Sequence, residues 1–235
     1  SGSDTTAALL GAALGAAEII IWTDVDGVLT ADPRVVPGAR LLTCLSYREA
    51  AEMTYFGAKV LHFPAVLPAI AAKIPLVIRN SFAPEGPGTT ISEKGDRKLG
   101  IRAVTAISGL CLLSLDGKGM SGIPGIAARV FSTTARLGVS VVMFSQASSE
   151  QNIAIVLPEA DRARTAAALG KEFHYERLVG SIDGVAAKSP IAVVAAVGDG
   201  MRGTVGIAAK VFAAIARAGV NVEAIAQGSS ECNIS

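Results

Sequence analysis

A threonine and two aspartates follow a short apolar segment near the start of the chain. The segment Thr23-Asp24-Val25-Asp26-Gly27 comes directly after Glu18–Trp22, whose sequence EIIIW is typical of a buried parallel strand. In open α/β sheets, ligands bind beyond the carboxyl ends of the strands. A hydroxyl and two carboxylates at that edge could bind a ribose, a base edge or a hydrated Mg²⁺. The alternative is that Asp24 and Asp26 only cap and solvate a tight turn.

Arg34 and Lys59 are two cationic residues next to the most clearly patterned apolar segments of the N-terminal part. Both residue types suit phosphate groups, because arginine offers a planar fork of donors and lysine a point charge. Each of them, taken alone, could instead be a solvated surface residue.

Two glycine patterns match the fingerprint of a dinucleotide-binding turn, Gly117-x-Gly119-x-x-Gly122 and Gly198-x-Gly200-x-x-Gly203. A dinucleotide site also needs an acidic residue about 20 residues further on, at the end of the next strand. In the first pattern that strand reads VVMFS (141–145) and contains no acid. We therefore predict that the glycines make room for a small ligand against backbone amides and a helix N-terminus, with tight turns alone as the alternative.

The glycine patterns belong to an internal repeat. Residues 125–154 align with residues 206–235, an offset of 81, and 17 of the 30 aligned residues are identical. Each copy reads as strand, glycine-rich loop, amphipathic helix and strand, with SSExNI leading to a further strand. A helix at 158–173 extends the first copy to βαββα, the beginning of a ferredoxin-like βαββαβ module. The second copy is predicted to be truncated, because it stops at Ser235.

Side-chain amides recur at equivalent positions of the repeat. Gln146 matches Gln227, and Asn152 matches Asn233. An amide carries both a donor and an acceptor, so such pairs suit a small zwitterion. Strand-end hydrogen bonding is the alternative.

Local patterns predict two helices in the N-terminal part. Residues 4–17 predict a helix capped by Asp4 or Thr5. Residues 46–62 predict a second helix, because they open with a serine followed three residues later by Glu49, the pattern of a capping box.

The remaining N-terminal patterns predict a strand, a loop and a domain boundary. The apolar run 74–79 predicts a strand, and the Pro/Gly-rich segment 81–92 predicts a loop. The charged segment 93–100 predicts a boundary between domains. The predicted domains are residues 1–92, 93–180 and 181–235.

Composition excludes several classes of protein. Hydrophobic residues make up 51% of the 235 residues and charged residues 17%, which excludes a disordered chain. The net charge of +1 gives no electrostatic footprint of a nucleic-acid binder. The longest apolar stretch, Ala7–Trp22, is interrupted by Glu18 and falls short of the roughly 20 residues that cross a membrane. We expect neither nucleic-acid nor membrane binding.

Three cysteines lie far apart in the sequence, Cys44, Cys111 and Cys232. Their odd number and the lack of nearby histidines predict buried thiols rather than disulfides or a zinc site. These features favour a cytoplasmic protein without a resident metal.

The chain resembles aspartate kinases, most closely the threonine-regulated class that includes the kinase half of bifunctional aspartokinase–homoserine dehydrogenases. The resemblance covers essentially the whole chain. It implies an α/β architecture: the C-terminal part of an amino-acid-kinase-like domain, followed by two ferredoxin-like (βαββαβ) ACT units, the second of them truncated. The segments that carry it are GSDTTAALLGAALGA (2–16), IWTDVDGVLTADPR (21–34), SYREAAEMTYFGAKVLH (46–62), NSFAPEGPGT (80–89) and the two repeat ends QASSEQNI and QGSSECNI.

The resemblance implies transfer of the γ-phosphate of ATP to the β-carboxylate of L-aspartate, with Mg²⁺. On matching positions it makes Ser3 a substrate-binding residue and Asp4 a catalytic residue. Leu29 stands where the family usually has an aromatic residue near the nucleotide, which weakens that contact. The implied ATP-binding residues are Thr23, Asp24, Leu29, Arg34 and Lys59.

The family's N-terminal KFGG-type motif, which supplies a catalytic lysine, does not occur in this sequence. We therefore expect the chain alone to be an incompetent kinase and both of its ends to lie inside a longer protein. A non-catalytic amino-acid sensor is the main alternative, and a dinucleotide-binding dehydrogenase is a further one.

The resemblance also implies an allosteric effector bound between ACT units, and a homo-oligomer formed through them. Threonine is the expected effector and lysine the alternative, because a lysine pocket should offer an acid where Val142 stands. The implied effector contacts are Met120, Gly125, Ile126, Ala127, Ser140, Val141, Gln146 and Asn152 of the first unit and Gln227 of the second.

Overall fold

The computed structural model describes residues 2–58, 61–96, 100–147, 149–227 and 232–235. No helix within these ranges is both long enough and apolar enough to cross a bilayer. Two compact units are formed, and each draws on separated stretches of the chain. The first unit comprises residues 1–106, 194–221 and 227–235, and the second comprises residues 107–193 and 222–226.

A four-stranded sheet organises the first unit, with the strand order β1-β3-β4-β2. Strands β1 and β3 run parallel, as do β2 and β4, whereas β3 and β4 are antiparallel. The carboxyl ends of β1 and β3 therefore lie side by side. The strands are β1 (Ile19–Thr23), β2 (Cys44–Ser46), β3 (Leu76–Asn80) and β4 (Thr89–Ser92).

Strand β4 lies within the segment 81–92, which the sequence predicted to be a loop, so that prediction is wrong at its C-terminal end. Its residues Thr89 and Ile91 are both completely buried. Burial of β-branched side chains on a paired strand explains why the segment is extended here. The prolines and glycines that suggested a loop lie in residues 84–88.

Three helices accompany this sheet: α1 (Gly2–Leu14), α2 (Tyr47–Tyr55) and α3 (Leu67–Ala71). Helix α1 begins at Gly2, so Asp4 lies in its first turn and neither Asp4 nor Thr5 is the cap that the sequence predicted. An acid in the first turn is still favourable, because it faces the positive end of the helix dipole.

The capping box predicted at the start of α2 is confirmed. The side chain of Ser46 accepts a hydrogen bond from the Glu49 N–H, and the Glu49 carboxylate accepts one from the Ser46 N–H. The helix ends at Tyr55 rather than at residue 62, as the sequence predicted. Gly57 follows with a φ of 103°, a left-handed conformation that glycine adopts without strain and that commonly ends a helix.

The second unit contains the module predicted for the first repeat copy, and its βαββαβ order is confirmed. Strands β5 and β7 are antiparallel, and β6 pairs antiparallel with β7. Helices α4 and α5 contribute to an apolar core that includes Leu113, Ile155 and Phe173. In chain order the elements are β5 (Ala103–Asp116), α4 (Ile126–Arg136), β6 (Met143–Gln146), β7 (Asn152–Pro158), α5 (Arg162–Glu172), α6 (His174–Leu178) and β8 (Gly184–Val197).

The second repeat copy begins like the first, with a strand followed by a helix. It continues from β8 into α7 (Ile207–Arg217) and ends with β9 (Asn233–Ile234). Strand β9 pairs with Ala196 and Val197 of β8. Among the described residues that correspond to β6, Gln227 forms an isolated antiparallel bridge with Ile234.

Candidate functional site

The acidic segment after β1 and the end of β3 meet at one edge of the first sheet. Thr23 and Asn80 are partners in the parallel register, and the Ser81 N–H donates to the Thr23 carbonyl at 2.8 Å. The Thr23 hydroxyl donates to Asp24 Oδ1 at 3.1 Å. The Asn80 amide donates to Asp26 Oδ1 at 2.7 Å. This edge therefore combines hydroxyl, carboxylate and amide groups, the types that hydrogen-bond a ribose or a base.

A buried threonine holds the segment after β1 in place. Thr89 Oγ1 accepts the Val28 N–H at 2.8 Å and donates to the Leu42 carbonyl at 2.6 Å. Gly27 has a φ of 141°, and a Cβ atom at this position would overlap Thr89 Oγ1. The position therefore requires glycine, and Thr89 fixes where the carboxylates of the segment lie.

Sequence reasoning assigned no role to Asn80 or Thr89. Both occur in the segment NSFAPEGPGT (80–89), which carried the resemblance. The available signal for Asn80 was its place at the end of an apolar strand, the same kind of place that singled out Asp24 and Asp26.

The other residues predicted to contact the nucleotide are Arg34, Leu29 and Lys59. The Arg34 guanidinium forms a bidentate pair with Asp32, with Nη2 2.7 Å from Oδ2, and this hydrogen bond raises the pKa of Arg34. Its side chain is 79% exposed, so it could turn toward a phosphate. Leu29 is half-buried and bridges to Leu41. Lys59 lies outside the described residues.

Ser3 and Asp4 lie in the first turn of α1, and Ser3 Oγ donates to Asp4 Oδ1 at 3.3 Å. Ser3 is exposed and Asp4 half-exposed. The N-terminal end of a helix favours anionic groups, which suits a site for a carboxylate substrate.

The first repeat copy contains a cavity of about 290 Å³ at the N-terminal end of α4. Gly125, the residue before the helix, is left-handed with a φ of 92° and supplies no side-chain cap. The Glu150 carboxylate faces the same cavity and accepts the Gly122 N–H at 2.9 Å. The cavity is lined by Met120, Gly122, Ile123, Pro124, Gly125, Ile126, Ala127, Gln146, Glu150 and Ile153.

Five of the eight effector contacts predicted in the first copy line this cavity, and three lie elsewhere. Ser140 is exposed, and Val141 packs against the apolar core of the second unit. Asn152 donates to the Asp116 carboxylate within its own repeat. Glu150 was missed, although its place in SSExNI was visible in the sequence.

The second repeat copy contains a matching cavity of about 510 Å³ at the N-terminal end of α7. Gly206, with a φ of 85°, takes the place of Gly125. The sequence prediction named Gln227 alone in this copy, although the offset of 81 residues pointed to the rest. The lining residues are Met201, residues 203–209, Gln227 and Ile234.

Within the described ranges, no group of three or more histidine, cysteine, aspartate or glutamate residues is placed to hold a metal ion. None of the three cysteines forms a disulfide; Cys111 and Cys232 are buried and Cys44 is half-buried.

Two family models match separate parts of the chain. The amino acid kinase family matches residues 1–80, and the ACT domain matches residues 113–173 and 194–235. The chain is 43% identical over 238 residues to bifunctional aspartokinase/homoserine dehydrogenase 1 of Zea mays, and 43% identical over 236 residues to its counterpart in Haemophilus influenzae. It is 36% identical over 243 residues to aspartokinase 2 of Arabidopsis thaliana. These matches cover 99–100% of this chain but only 26%, 29% and 43% of the relatives' lengths.

Solved aspartate kinases share the fold. The enzyme of Clostridium acetobutylicum superposes with a TM-score of 0.86 at 30% identity, covering 99% of this chain and 53% of that one. E. coli aspartokinase III in complex with aspartate and ADP superposes with a TM-score of 0.79 at 33% identity, covering 99% and 51%. The same E. coli enzyme is also known in complex with lysine and aspartate.

Proposed function

Because this chain belongs to the aspartokinase family, we propose that it forms part of an enzyme that phosphorylates the β-carboxylate of L-aspartate with ATP. The observation that carries the proposal is the edge shared by β1 and β3, where Thr23, Asp24 and Asn80 lie together within the part matched by the amino acid kinase family. The chain spans roughly half or less of its relatives, so the activity is proposed for the whole protein.

In this mechanism the chain's own residues bind and orient the two substrates. Thr23 and Asp24 hold the nucleotide, with Leu29 beside it, and Arg34 and Lys59 offset phosphate charge. Ser3 contacts aspartate, and Asp4 orients the cationic groups at the transferred phosphate. Phosphoryl transfer depends mainly on such positioning and charge stabilisation.

The oxygen-rich edge also fits a nucleotide bound with Mg²⁺, because Mg²⁺ is usually held by one or two carboxylates together with phosphates and waters. Asp24 is exposed at this edge, and Asp4 carries a second carboxylate in the same unit. The ion would supply neutralisation of the phosphate charge.

The test of the kinase proposal is aspartyl-hydroxamate formation by the full-length protein. Asp4→Asn should lower kcat at least about a hundredfold, the scale of removing one stabilising group in an active site. Glu18→Gln, an exposed acid before β1, is the matched control and should keep normal activity. An inactive wild-type protein that still binds threonine would instead support the alternative function, a non-catalytic amino-acid sensor.

We further propose that the repeat cavities bind threonine as a feedback effector. The open N-terminus of α4 offers N–H groups to a carboxylate, and the Gln146 amide can hydrogen-bond a hydroxyl. Glu150 offers a carboxylate to an ammonium group. That acid would serve lysine as well, so lysine stays the second candidate. Calorimetric titration with threonine, lysine and methionine decides between them, and no heat with any of the three would overturn an effector role.

A homo-oligomer formed through the ACT units is also part of the proposal. Strand β6 ends the strand order β6-β7-β5, so one of its edges is open to pairing, and its Phe144 is 54% exposed. Light scattering after size-exclusion chromatography should give a mass of two chains or more, and a monomeric mass would contradict this.

We also propose a cytoplasmic location, which is supported by three cysteines that form no disulfide. The plant relatives are named chloroplastic, so cell fractionation of the source organism is the direct test.

A further inference from the structure

We propose that a third cavity, formed by the start of α2 and the turn at 199–204, binds the phosphate group of a small metabolite. The cavity has a volume of about 450 Å³, which is within the usual range for sites that hold small molecules. Its walls belong to the first compact unit, and it shares only Thr204 with the second repeat cavity. The inference goes beyond the kinase and effector functions proposed above and does not depend on either of them.

A buried carboxylate holds the two walls of this cavity together. Glu49 Oε2 accepts the Ser46 N–H at 2.9 Å, and Glu49 Oε1 accepts the Asp199 N–H at 2.9 Å. Glu49 is completely buried, so neither bond competes with water. Ser46 and Asp199 both line the cavity, which is therefore formed before a ligand binds.

Two arginines from distant parts of the chain line the cavity. Arg48 lies in the first turn of α2, and Arg202 follows the short helical turn Asp199–Met201. Among the described residues, Arg48 makes one long side-chain contact, from Nη1 to Cys232 Sγ at 3.8 Å, and the Arg202 guanidinium makes no hydrogen bond or ion pair. Guanidinium groups bind phosphate oxygens through parallel N–H donors. Two sets of such donors are thus available in one cavity.

The start of α2 adds a buried hydroxyl to these donors. Ser46 is only 2% exposed, and its Oγ accepts the Glu49 N–H at 3.0 Å. Within the described ranges, the Ser46 hydroxyl proton has no acceptor, and a buried donor without an acceptor is costly. A phosphate oxygen in the cavity would accept this proton. Tyr47 lines the same cavity as the first residue of α2, and the N–H groups of a first helical turn favour an anion.

Two carboxylates also line the cavity, but each of them already has a partner. Glu93 Oε1 lies 3.1 Å from Lys73 Nζ, and Asp199 Oδ1 accepts the Cys232 thiol at 3.1 Å. Because Lys73 neutralises Glu93, the two arginines outnumber the remaining acid among the lining side chains and their ion-pair partners. This balance favours an anionic ligand.

The turn itself does not require the arginine. With the offset of 81 residues, Arg202 corresponds to Ser121, and Asp199 corresponds to Lys118. The first copy nevertheless forms the same short helical turn, at Lys118–Met120. Arg202 is therefore not needed to fold this segment, and its guanidinium is available for a ligand.

The test is calorimetric titration of this chain with glycerol phosphate, glycerate and glycerol, which offer a phosphate, a carboxylate and no charge on similar skeletons. Glycerol phosphate should bind most tightly. Arg48→Gln and Arg202→Gln should each weaken its binding about tenfold or more, the usual effect of losing a hydrogen bond to a charged group. Arg217→Gln removes an exposed arginine of the same unit outside this cavity, so this matched control should keep the affinity.

Two further variants separate this cavity from its surroundings. Arg34→Gln, near the nucleotide edge, should leave the affinity for glycerol phosphate unchanged. Glu93→Gln should tighten binding, because it removes a negative charge from the wall of the cavity and releases Lys73. A purely structural role of these residues would not give opposite effects for the acid and the arginines.

Several results would overturn the inference. These are no binding of glycerol phosphate, tighter binding of glycerate, equal affinities of the wild type and Arg202→Gln, or weaker binding by Glu93→Gln. A loss of affinity in Arg217→Gln as large as that in Arg202→Gln would show non-specific attraction to positive charge and would also overturn it. None of these results bears on kinase activity or on threonine binding, so the failure of this inference is distinguishable from failure of the proposed functions.

Discussion

Individual buried polar groups determine the geometry of the candidate sites. Thr89 makes two hydrogen bonds without any exposure to solvent, and both go to backbone groups more than forty residues away. Such a group has no substitute partner in water, so its loss leaves backbone donors and acceptors unpaired. The Thr89 hydroxyl is therefore one of the contacts that hold the acidic segment after β1 in place.

We expect Thr89→Val to lower the free energy of unfolding by about 1–3 kcal/mol, because the Val28 N–H loses its acceptor. Thr89→Ser keeps the hydroxyl and should recover most of this loss. Urea denaturation followed by circular dichroism measures both. Thr90→Val, at a half-exposed neighbouring position, is the control. Equal stability of the valine and serine variants at position 89 would show that the hydroxyl is not the cause.

The ion pairs of Arg129 with Glu172 and Glu176 predict how the stability of the protein depends on pH. Arg129 hydrogen-bonds to Glu172 and Glu176 and stacks over the Phe173 ring at 4.4 Å. These hydrogen bonds lower the pKa of both carboxyl groups, and Arg136 adds to the effect at Glu172. Their stabilising contribution is therefore complete above the pKa of an unfolded glutamate and is lost as the pH falls through the lowered values.

We expect Glu176→Gln to lower the unfolding free energy by about 1 kcal/mol at neutral pH, since both partners are partly exposed. The difference from the wild type should shrink as the pH falls below the usual glutamate range. Urea denaturation at several pH values measures it. Glu93→Gln, which removes an exposed pair with Lys73, should have a smaller effect that depends more on salt. A constant difference across the acidic range would contradict the assignment.

At the scale of elements, helix α2 shows what local sequence can predict and what it cannot. Its start was predictable, because the capping box is a contact between residues three apart. Its early end was not recognised, although Gly57 offered the signal, because the apolar pattern continues through FGAKVLH. The sequence analysis missed strand β4 because Pro84, Gly86, Pro87 and Gly88, which favour turns, come directly before it. The strand is buried by its pairing with β3, which local sequence does not show.

We expect Ser46→Ala to cost about 1 kcal/mol, the usual effect of removing a helix cap. The loss should appear as faster amide exchange in the first turn of α2, next to an unchanged α4. Hydrogen exchange by mass spectrometry resolves the two helices. Ser92→Ala, at the end of β4, is the control and should leave α2 unaffected. Equal exchange in Ser46→Ala and the wild type would show that the cap does not stabilise the helix.

At the scale of the whole molecule, each compact unit combines stretches that lie far apart in the sequence. The predicted domain ranges stay a prediction. In the structure, the first compact unit contains residues 1–106 together with residues 194–221 and 227–235, which belong to the second repeat copy. The repeat itself was predictable from identity at a fixed offset. Its attachment to α2 was not, because nothing local relates Glu49 to Asp199, which are 150 residues apart. Asn80 and Asp26 are 54 residues apart, so local sequence could not relate them either.

We expect threonine at about 100 times its Kd to raise the unfolding free energy of the wild type by about 2.7 kcal/mol for each cavity that it fills. Gln146→Ala and Gln227→Ala should each reduce the gain, because each removes an amide from one cavity. Chemical denaturation with and without threonine measures the effect. Gln151→Ala, an exposed residue outside both cavities, is the control. A full gain in the double variant Gln146→Ala, Gln227→Ala would place the ligand elsewhere.

The two cavities are related by the repeat but are not copies of each other. Ile123 and Pro124 in the first are replaced by Thr204 and Val205 in the second, and the volumes are about 290 and 510 Å³. If both cavities bind threonine as proposed, their different linings give them different affinities for it. The protein would then respond to rising amounts of the amino acid in two stages.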